Sequence, residues 1–216
     1  MMNWMLLSLL ILHIFDFCRT QVSAPIWPNN WQATFTESAW WLTGNGTLTG
    51  TFSYLNDTAS NQTYQLIERS DAFTEKLCAS IYPFSHTPCS HLVRQGKRYI
   101  LFPEKKYCCT CCTAAQGCGV LKANWMAPAK FTSEYKEGTD TVFMYNIAGL
   151  QNNYYGVDQN QIPRRIYQEP ISDIWFNATS YVKDTVAPAK FDLPTDSGDC
   201  DKQCPFFSYC TLVALA

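Results

Sequence analysis

The chain has 216 residues, a formal net charge of −2, 16% charged residues and 11 cysteines. So near-neutral a balance argues against a polyanion or nucleic-acid partner, since no basic patch with interleaved aromatics is present. The length supports one full hydrophobic core and not clearly two.

The run Leu6-Leu7-Ser8-Leu9-Leu10-Ile11-Leu12-His13-Ile14-Phe15 is about ten residues long, the length of a signal-peptide core and too short to span a bilayer. Residues 1–20 are therefore read as a signal peptide, with cleavage after Thr20 or Ser23. Residues 24–216 are read as a single β-rich domain with no transmembrane span. Four glycosylation sequons follow, at Asn45, Asn56, Asn61 and Asn177. Each predicts an exposed loop or turn, because a glycan cannot be buried. The implied location is extracellular or the lumen of the secretory pathway.

Cys18 leaves with the signal. Ten cysteines remain: Cys78, Cys89, Cys108, Cys109, Cys111, Cys112, Cys118, Cys200, Cys204 and Cys210. An even number in a secretory chain implies a disulfide framework. Three tail cysteines cannot pair only among themselves, so at least one bridge ties the C-terminal segment to the body. Neighbouring cysteines pair poorly with each other, so each doublet, Cys108-Cys109 and Cys111-Cys112, is expected to reach two different partners. Soft sulfur ligands at this spacing also suit zinc or copper, but an oxidising compartment favours bridges. No metal or cofactor is assigned.

In chain order, Trp31-Gln32-Ala33-Thr34-Phe35-Thr36 alternates apolar and polar, as does Thr47 to Leu55, with Gly44-Asn45-Gly46 read as the turn between them. Thr63 to Ile67 completes a meander. The stretch 71–81 reads as a short helix: Ser70 is the N-cap, Asp71 lies in the first turn, Phe73, Leu77 and Ile81 share one face, and Pro83 stops it. Arg98 to Phe102 and Thr141 to Ile147 are apolar on both faces, so each strand is covered on both sides, by the helix, a cavity, a ligand or a second sheet. Asn152 to Gly156, Arg164 to Gln168, and Ile174 to Phe176 with Val182 give further strands, and the tail from Pro188 reads as a bridged loop. The fold class is mainly β: one antiparallel, disulfide-rich sheet with one or two short helices.

No catalytic motif stands out. His86 and His91 are read as loop residues; adjacent Ser90 and His91 on a strand would face opposite sides, and no nucleophile elbow is present. The carboxylates are scattered. The Asp196 to Asp201 cluster lacks the closing Glu of an EF-hand and reads as solvated loop. The basic groups Arg94 with Lys97 and Arg98, Lys105-Lys106, and Arg164-Arg165 read as a solvated face. The apolar C-terminal end contains Cys210 and is too short for a lipid-anchor signal.

Several segments carry a family resemblance: Trp31-Gln32-Ala33-Thr34-Phe35, Gly50 to Tyr54, Tyr99-Ile100-Leu101-Phe102-Pro103, Gly149-Leu150-Gln151 with Tyr154-Tyr155, Pro163-Arg164-Arg165-Ile166, and Phe191-Asp192-Leu193-Pro194. In order and spacing the chain resembles a divergent ependymin-related secreted protein, departing from it in the Cys108 to Cys118 cluster. The resemblance implies a curved antiparallel half-barrel, similar to bacterial lipoprotein carriers, whose concave face holds a lipid-like ligand. Trp31, Phe35, Tyr99, Leu101, Phe143 and Tyr145, picked by strand alternation, are the expected lining residues, and the expected partner is a hydrophobic small molecule or lipid. The rival readings are an extracellular structural or adhesive glycoprotein with its groove filled, and an extracellular hydrolase.

Overall fold

The computed structural model describes residues 24–42, 44–147, 152–169 and 172–215; the expected signal peptide and the Gly149-Leu150-Gln151 segment lie outside them. Strands β1 (Asn30–Trp41), β2 (Gly44–Asp57), β3 (Gln62–Arg69), β4 (Cys89–Arg94), β5 (Lys97–Phe102) and β6 (Tyr107–Thr113) form one antiparallel meander. Strands β7 (Lys130–Glu137), β8 (Asp140–Ile147), β9 (Asn153–Asp158), β10 (Pro163–Gln168) and β11 (Ser172–Phe176) form a second. The meanders join where β1 pairs with β11, Phe35 opposite Phe176, giving one open, curved sheet in the order β6-β5-β4-β3-β2-β1-β11-β10-β9-β8-β7. A two-residue β12 (Val182–Lys183) also pairs with β1. Two short helices, α1 (Lys76–Ile81) and α2 (Tyr209–Leu215), complete the elements used below. The mainly β, antiparallel, disulfide-rich reading of the sequence matches this architecture.

Alternation decides which side of the sheet each residue serves. In β1, Trp31, Ala33, Phe35, Glu37 and Ala39 are buried while Thr34, Thr36 and Ser38 are exposed, the period of two that one covered face requires. This inner face carries an aromatic core of Trp27, Trp31, Phe52, Tyr54, Tyr155 and Phe176. Residues 114–129, which connect β6 at one edge to β7 at the other, supply its lid: Leu121, Trp125 and Met126 pack onto it, and the Trp27 backbone N–H donates to the Ala123 carbonyl at 2.9 Å. Gly50 is required here, since a Cβ would sit 2.4 Å from the Phe35 ring and 2.0 Å from the Glu68 carbonyl oxygen.

The opposite, outer face is covered over the first meander, where Leu55, Leu66, Leu92, Tyr99 and Leu101 pack beneath Val186 and Phe191 of the tail. The tail then turns around the β6 edge. Thr110 N–H donates to the Lys202 carbonyl at 2.8 Å, and Cys204 N–H donates to the Thr110 carbonyl at 2.9 Å, a short parallel bridge along the exposed strand. Beyond it the chain reaches the inner face and forms α2.

Three disulfides follow that path: Cys108–Cys200 on the outer face, then Cys109–Cys204 and Cys111–Cys210 within the inner-face cluster. Cys112–Cys118 closes the turn after β6, and Cys78–Cys89 ties α1 to β4. Each doublet does reach two partners, and three bridges, not merely one, secure the tail.

Several local expectations are corrected. The Gly44-Asn45-Gly46 stretch is not the turn but the start of β2, paired with Ala39 to Trp41. The helix begins at Lys76 and not near Asp71: the Asp71 carboxylate accepts from Phe73 N–H at 2.8 Å in a local turn, and Glu75 caps the helix by accepting from Leu77 N–H and Cys78 N–H. Cys108 to Cys112, Cys89 to Arg94 and Lys130 to Glu137 are strands that alternation did not reveal. Asn45, Asn61 and Asn177 are exposed, whereas Asn56 is half-buried and its amide donates to Asn29 Oδ1 at 3.0 Å.

The three tail bridges close loops of 92, 95 and 99 residues that overlap as a staggered ladder, each bridge shifted along both β6 and the tail. A lone loop of that length is worth about 4.7 kcal/mol in the chain-entropy account, but with its neighbours intact each bridge closes only a few extra residues, about 2 kcal/mol. Cys109→Ala with Cys204→Ala should therefore lower stability by about 2 kcal/mol. Removal of all three pairs should cost more than twice as much, read by denaturant melts.

Candidate ligand cavity

Between the inner face, the two helices and the connection after β6 lies a cavity of about 540 Å³. That is within the roughly 300–1,000 Å³ range of small-molecule sites. One wall is apolar, made by Phe52, Ile67, Leu121, Ile166 and Ile174. The other is charged: Glu37 from β1, Arg69 from β3, Glu75 and Lys76 from α1, His91 from β4 and Arg98 from β5.

Each charged group reaches the cavity because it occupies an inner-face position of its strand or the first turn of α1. Glu37 shares the face of Trp31 and Phe35, Arg69 that of Ile67, and His91 that of Cys89. Arg69 Nε donates to Glu37 Oε2 at 2.6 Å and Nη2 to Oε1 at 3.4 Å, with both residues almost wholly buried, at 6% and 1% exposure. Ser172 Oγ–H adds a bond to Glu37 Oε1 at 2.6 Å. Such a pair offsets its desolvation only through geometry of this kind.

Glu75 Oε2 accepts from Leu77 N–H at 3.0 Å and Cys78 N–H at 2.9 Å and lies 3.0 Å from His91 Nε2. Burial alone would raise the Glu75 pKa, but His91, Arg69 and the Cys78 N–H outweigh it and hold the carboxyl below its ordinary range. For His91, burial works against the charged form, Glu75 favours it, and Arg69 and Arg98 oppose it; the balance lowers its pKa and leaves the ring neutral at pH 7. Lys76 is also lowered, first by burial, with Arg98 and Arg69 adding to it against Glu75.

The structure locates the expected lining residues differently from one another. Trp31, Phe35 and Tyr145 are buried in the aromatic core, and Phe143 packs against it, all on the inner face but outside the cavity wall. Tyr99 and Leu101 lie on the outer face under Phe191. Because β5 is covered on both sides, its alternation did not say which parity faces in; Arg98, Ile100 and Phe102 do. The available signal was a charge at an apolar parity, as at Glu37 two residues beyond Phe35. Nor are the basic groups one solvated face: Arg98 faces the cavity, and Arg164 is buried against Glu137, Asp140 and Asp158.

His91 is in β4, not a loop, and its neighbour Ser90 pairs with Leu101 on the other face, so the Ser90 hydroxyl points away from the Glu75–His91 pair. Cys78 Sγ lies 3.4 Å from His91 Nε2, and Cys78, Cys89 and His91 cluster within 4.8 Å. Both sulfurs are spent in the Cys78–Cys89 bond and lack the thiolate charge that nucleophilic attack or metal binding needs. Among the described residues, no helix is long and apolar enough to cross a membrane.

No family model matches the chain, and no curated protein does. Solved structures with a similar course include an uncharacterized conserved protein from Thermus thermophilus, 11% identical, covering 87% of this chain and 96% of that one, with a TM-score of 0.47. A DUF1329 family protein from Desulfovibrio piger is 8% identical over 83% and 93% of the two chains, with a TM-score of 0.38. A LolA superfamily protein from Nitrosomonas europaea is 9% identical over 77% and 91%, with a TM-score of 0.35. At these scores the likenesses carry no argument about function.

The lowered pKa values give the protein a directional acid response. The ionised Glu75 contributes stability that is present above its unfolded value of about 4.3 and is lost as pH falls through the folded value. An unfolded histidine takes up its proton below about pH 6.5, before buried His91 does, so stability falls with pH from there. The melting temperature should therefore drop between pH 7 and 5, and His91→Gln, which keeps a side-chain N–H donor, should flatten the upper part of that slope.

Proposed function

We propose that this chain is a secreted, glycosylated binding protein that takes a small apolar or amphiphilic molecule into the cavity of its inner face. The observation that carries the reading is the cavity itself: about 540 Å³ left open beside a tightly filled aromatic core, with an apolar wall from four strands and the connection. A sheet that only needed a core would fill this space, since interiors pack to crystal-like density. Five disulfides favour an oxidising compartment. The apolar Leu6 to Phe15 run and the four sequons support export and glycosylation. The resemblance to ependymin-related proteins belongs to the same reading, as does one domain spanning residues 24–216.

Ser90 faces away from the Glu75–His91 pair and Cys78 is held in a disulfide, so binding rather than hydrolysis is the activity we assign. Protein secreted from a eukaryotic host should emerge without residues 1–20, carry glycans removable by an N-glycosidase, and bind a neutral fluorescent probe such as N-phenyl-1-naphthylamine. Ile67→Trp, which fills the cavity from its apolar wall, should weaken that binding at least tenfold, roughly the value of a buried aromatic's contact volume. A probe that binds neither protein, with a Trp variant of unchanged melting temperature, would leave a structural glycoprotein as the better reading.

A further inference from the structure

The cavity holds three cationic side chains, Arg69, Arg98 and Lys76, against two carboxylates, Glu37 and Glu75. The carboxylates are committed: Glu37 to Arg69 and Ser172, Glu75 to His91 and the first N–H groups of α1. The guanidinium groups are committed only in part. Arg69, 6% exposed, leaves Nη1 buried with no partner, and half-buried Arg98 leaves Nε in the same condition. A buried donor on a charged group is among the more expensive atoms to leave unpaired, and each such atom asks for a partner the protein itself does not supply.

The apolar wall of Ile67, Leu121, Ile166 and Ile174 faces the same space. One end of a bound molecule would therefore meet hydrocarbon and the other unpaired guanidinium N–H. We propose that the cavity selects an anionic amphiphile, a carboxylate or phosphate group on a short hydrocarbon chain, whose oxygens pair with the Arg69 and Arg98 guanidinium groups. A planar guanidinium suits either oxyanion. This rests on the binding reading above and narrows it to a charge class: a cationic amphiphile repels both donors, and a neutral one accepts from them without the gain of an ionised acceptor.

The test uses the secreted full chain and displacement of N-phenyl-1-naphthylamine by four ligands of one chain length: decanoate, decyl phosphate, decanol and decyltrimethylammonium. At least one of the two anions should bind roughly tenfold or more tightly than decanol, the size of one charged hydrogen bond, and the cation should bind most weakly. Whichever anion binds more tightly names the headgroup. Arg69→Gln strips Glu37 of its partner and risks unfolding, so the deciding variant is Arg98→Gln, whose Nε supports no other group. It should cut the anion-over-decanol ratio to about threefold or less. Equal binding of decanol and both anions by wild type, or an unchanged ratio in Arg98→Gln, overturns the inference while the binding reading stands. Inorganic phosphate or acetate binding as tightly as its decyl counterpart overturns the amphiphile. Failure of the probe and all four ligands to bind sinks the cavity reading itself.

Discussion

Successive residues of a strand project to opposite faces, and in β6 that rule is made covalent. Cys108 and Cys109 are neighbours, yet one bonds to the tail on the outer face and the other on the inner. The tail must therefore pass around the sheet edge between Cys200 and Cys204, and Thr110, the residue between the two doublets, bonds it there through the backbone. Much else depends on this clamp. It brings Val186 and Phe191 onto the outer face, sets α2 against the inner face, and so supplies Tyr209 and Leu212 to the cavity wall. It also covers an edge that would otherwise offer unpaired backbone groups to another chain.

The two halves of the inner face are built on different physics. In one part the space is filled by interlocking rings, Trp27 edge-on to Trp31, Phe52 and Tyr54 at 5.0–5.7 Å, the geometry aromatic pairs prefer. In the other the same face carries ion pairs and an open volume. Buried ion pairs contribute little net stability compared with apolar packing. A fold that keeps them beside a void has placed its costly groups where a ligand can reach them.

What the sequence made legible follows from where alternation is unambiguous. In β1 one face is wet, so Trp31 to Thr36 reads as a strand with an assigned face. In β5 both faces are dry, so the strand is readable but its parity is not, and Tyr99 and Leu101 were placed on the wrong side. In β6 cysteine and threonine give no hydrophobic contrast, so a strand reads as a knot of turns. Cysteine parity nonetheless required the tail to be bridged to the body. The cavity was the least legible part: Glu37, Arg69, Glu75, His91 and Arg98 come from five elements, and only their pairing across the sheet brings them together. Charge at an apolar parity was the available clue, and it is a weak one while the register is unknown.

The clamp also imposes an order on the protein's manufacture. The β6 cysteines leave the ribosome 92 or more residues ahead of their tail partners, a lag of roughly 5–20 s at ordinary elongation rates. Throughout that interval four closely spaced thiols, the Cys108-Cys109 and Cys111-Cys112 doublets, have only one another and Cys78, Cys89 and Cys118 as partners among residues 24–199. Native pairing of three of them has to wait for the last residues of the chain. Vectorial oxidation in order of appearance would trap the wrong bonds, so maturation of this molecule belongs to thiol exchange after synthesis, and its supply is governed by the isomerase activity of the compartment that makes it.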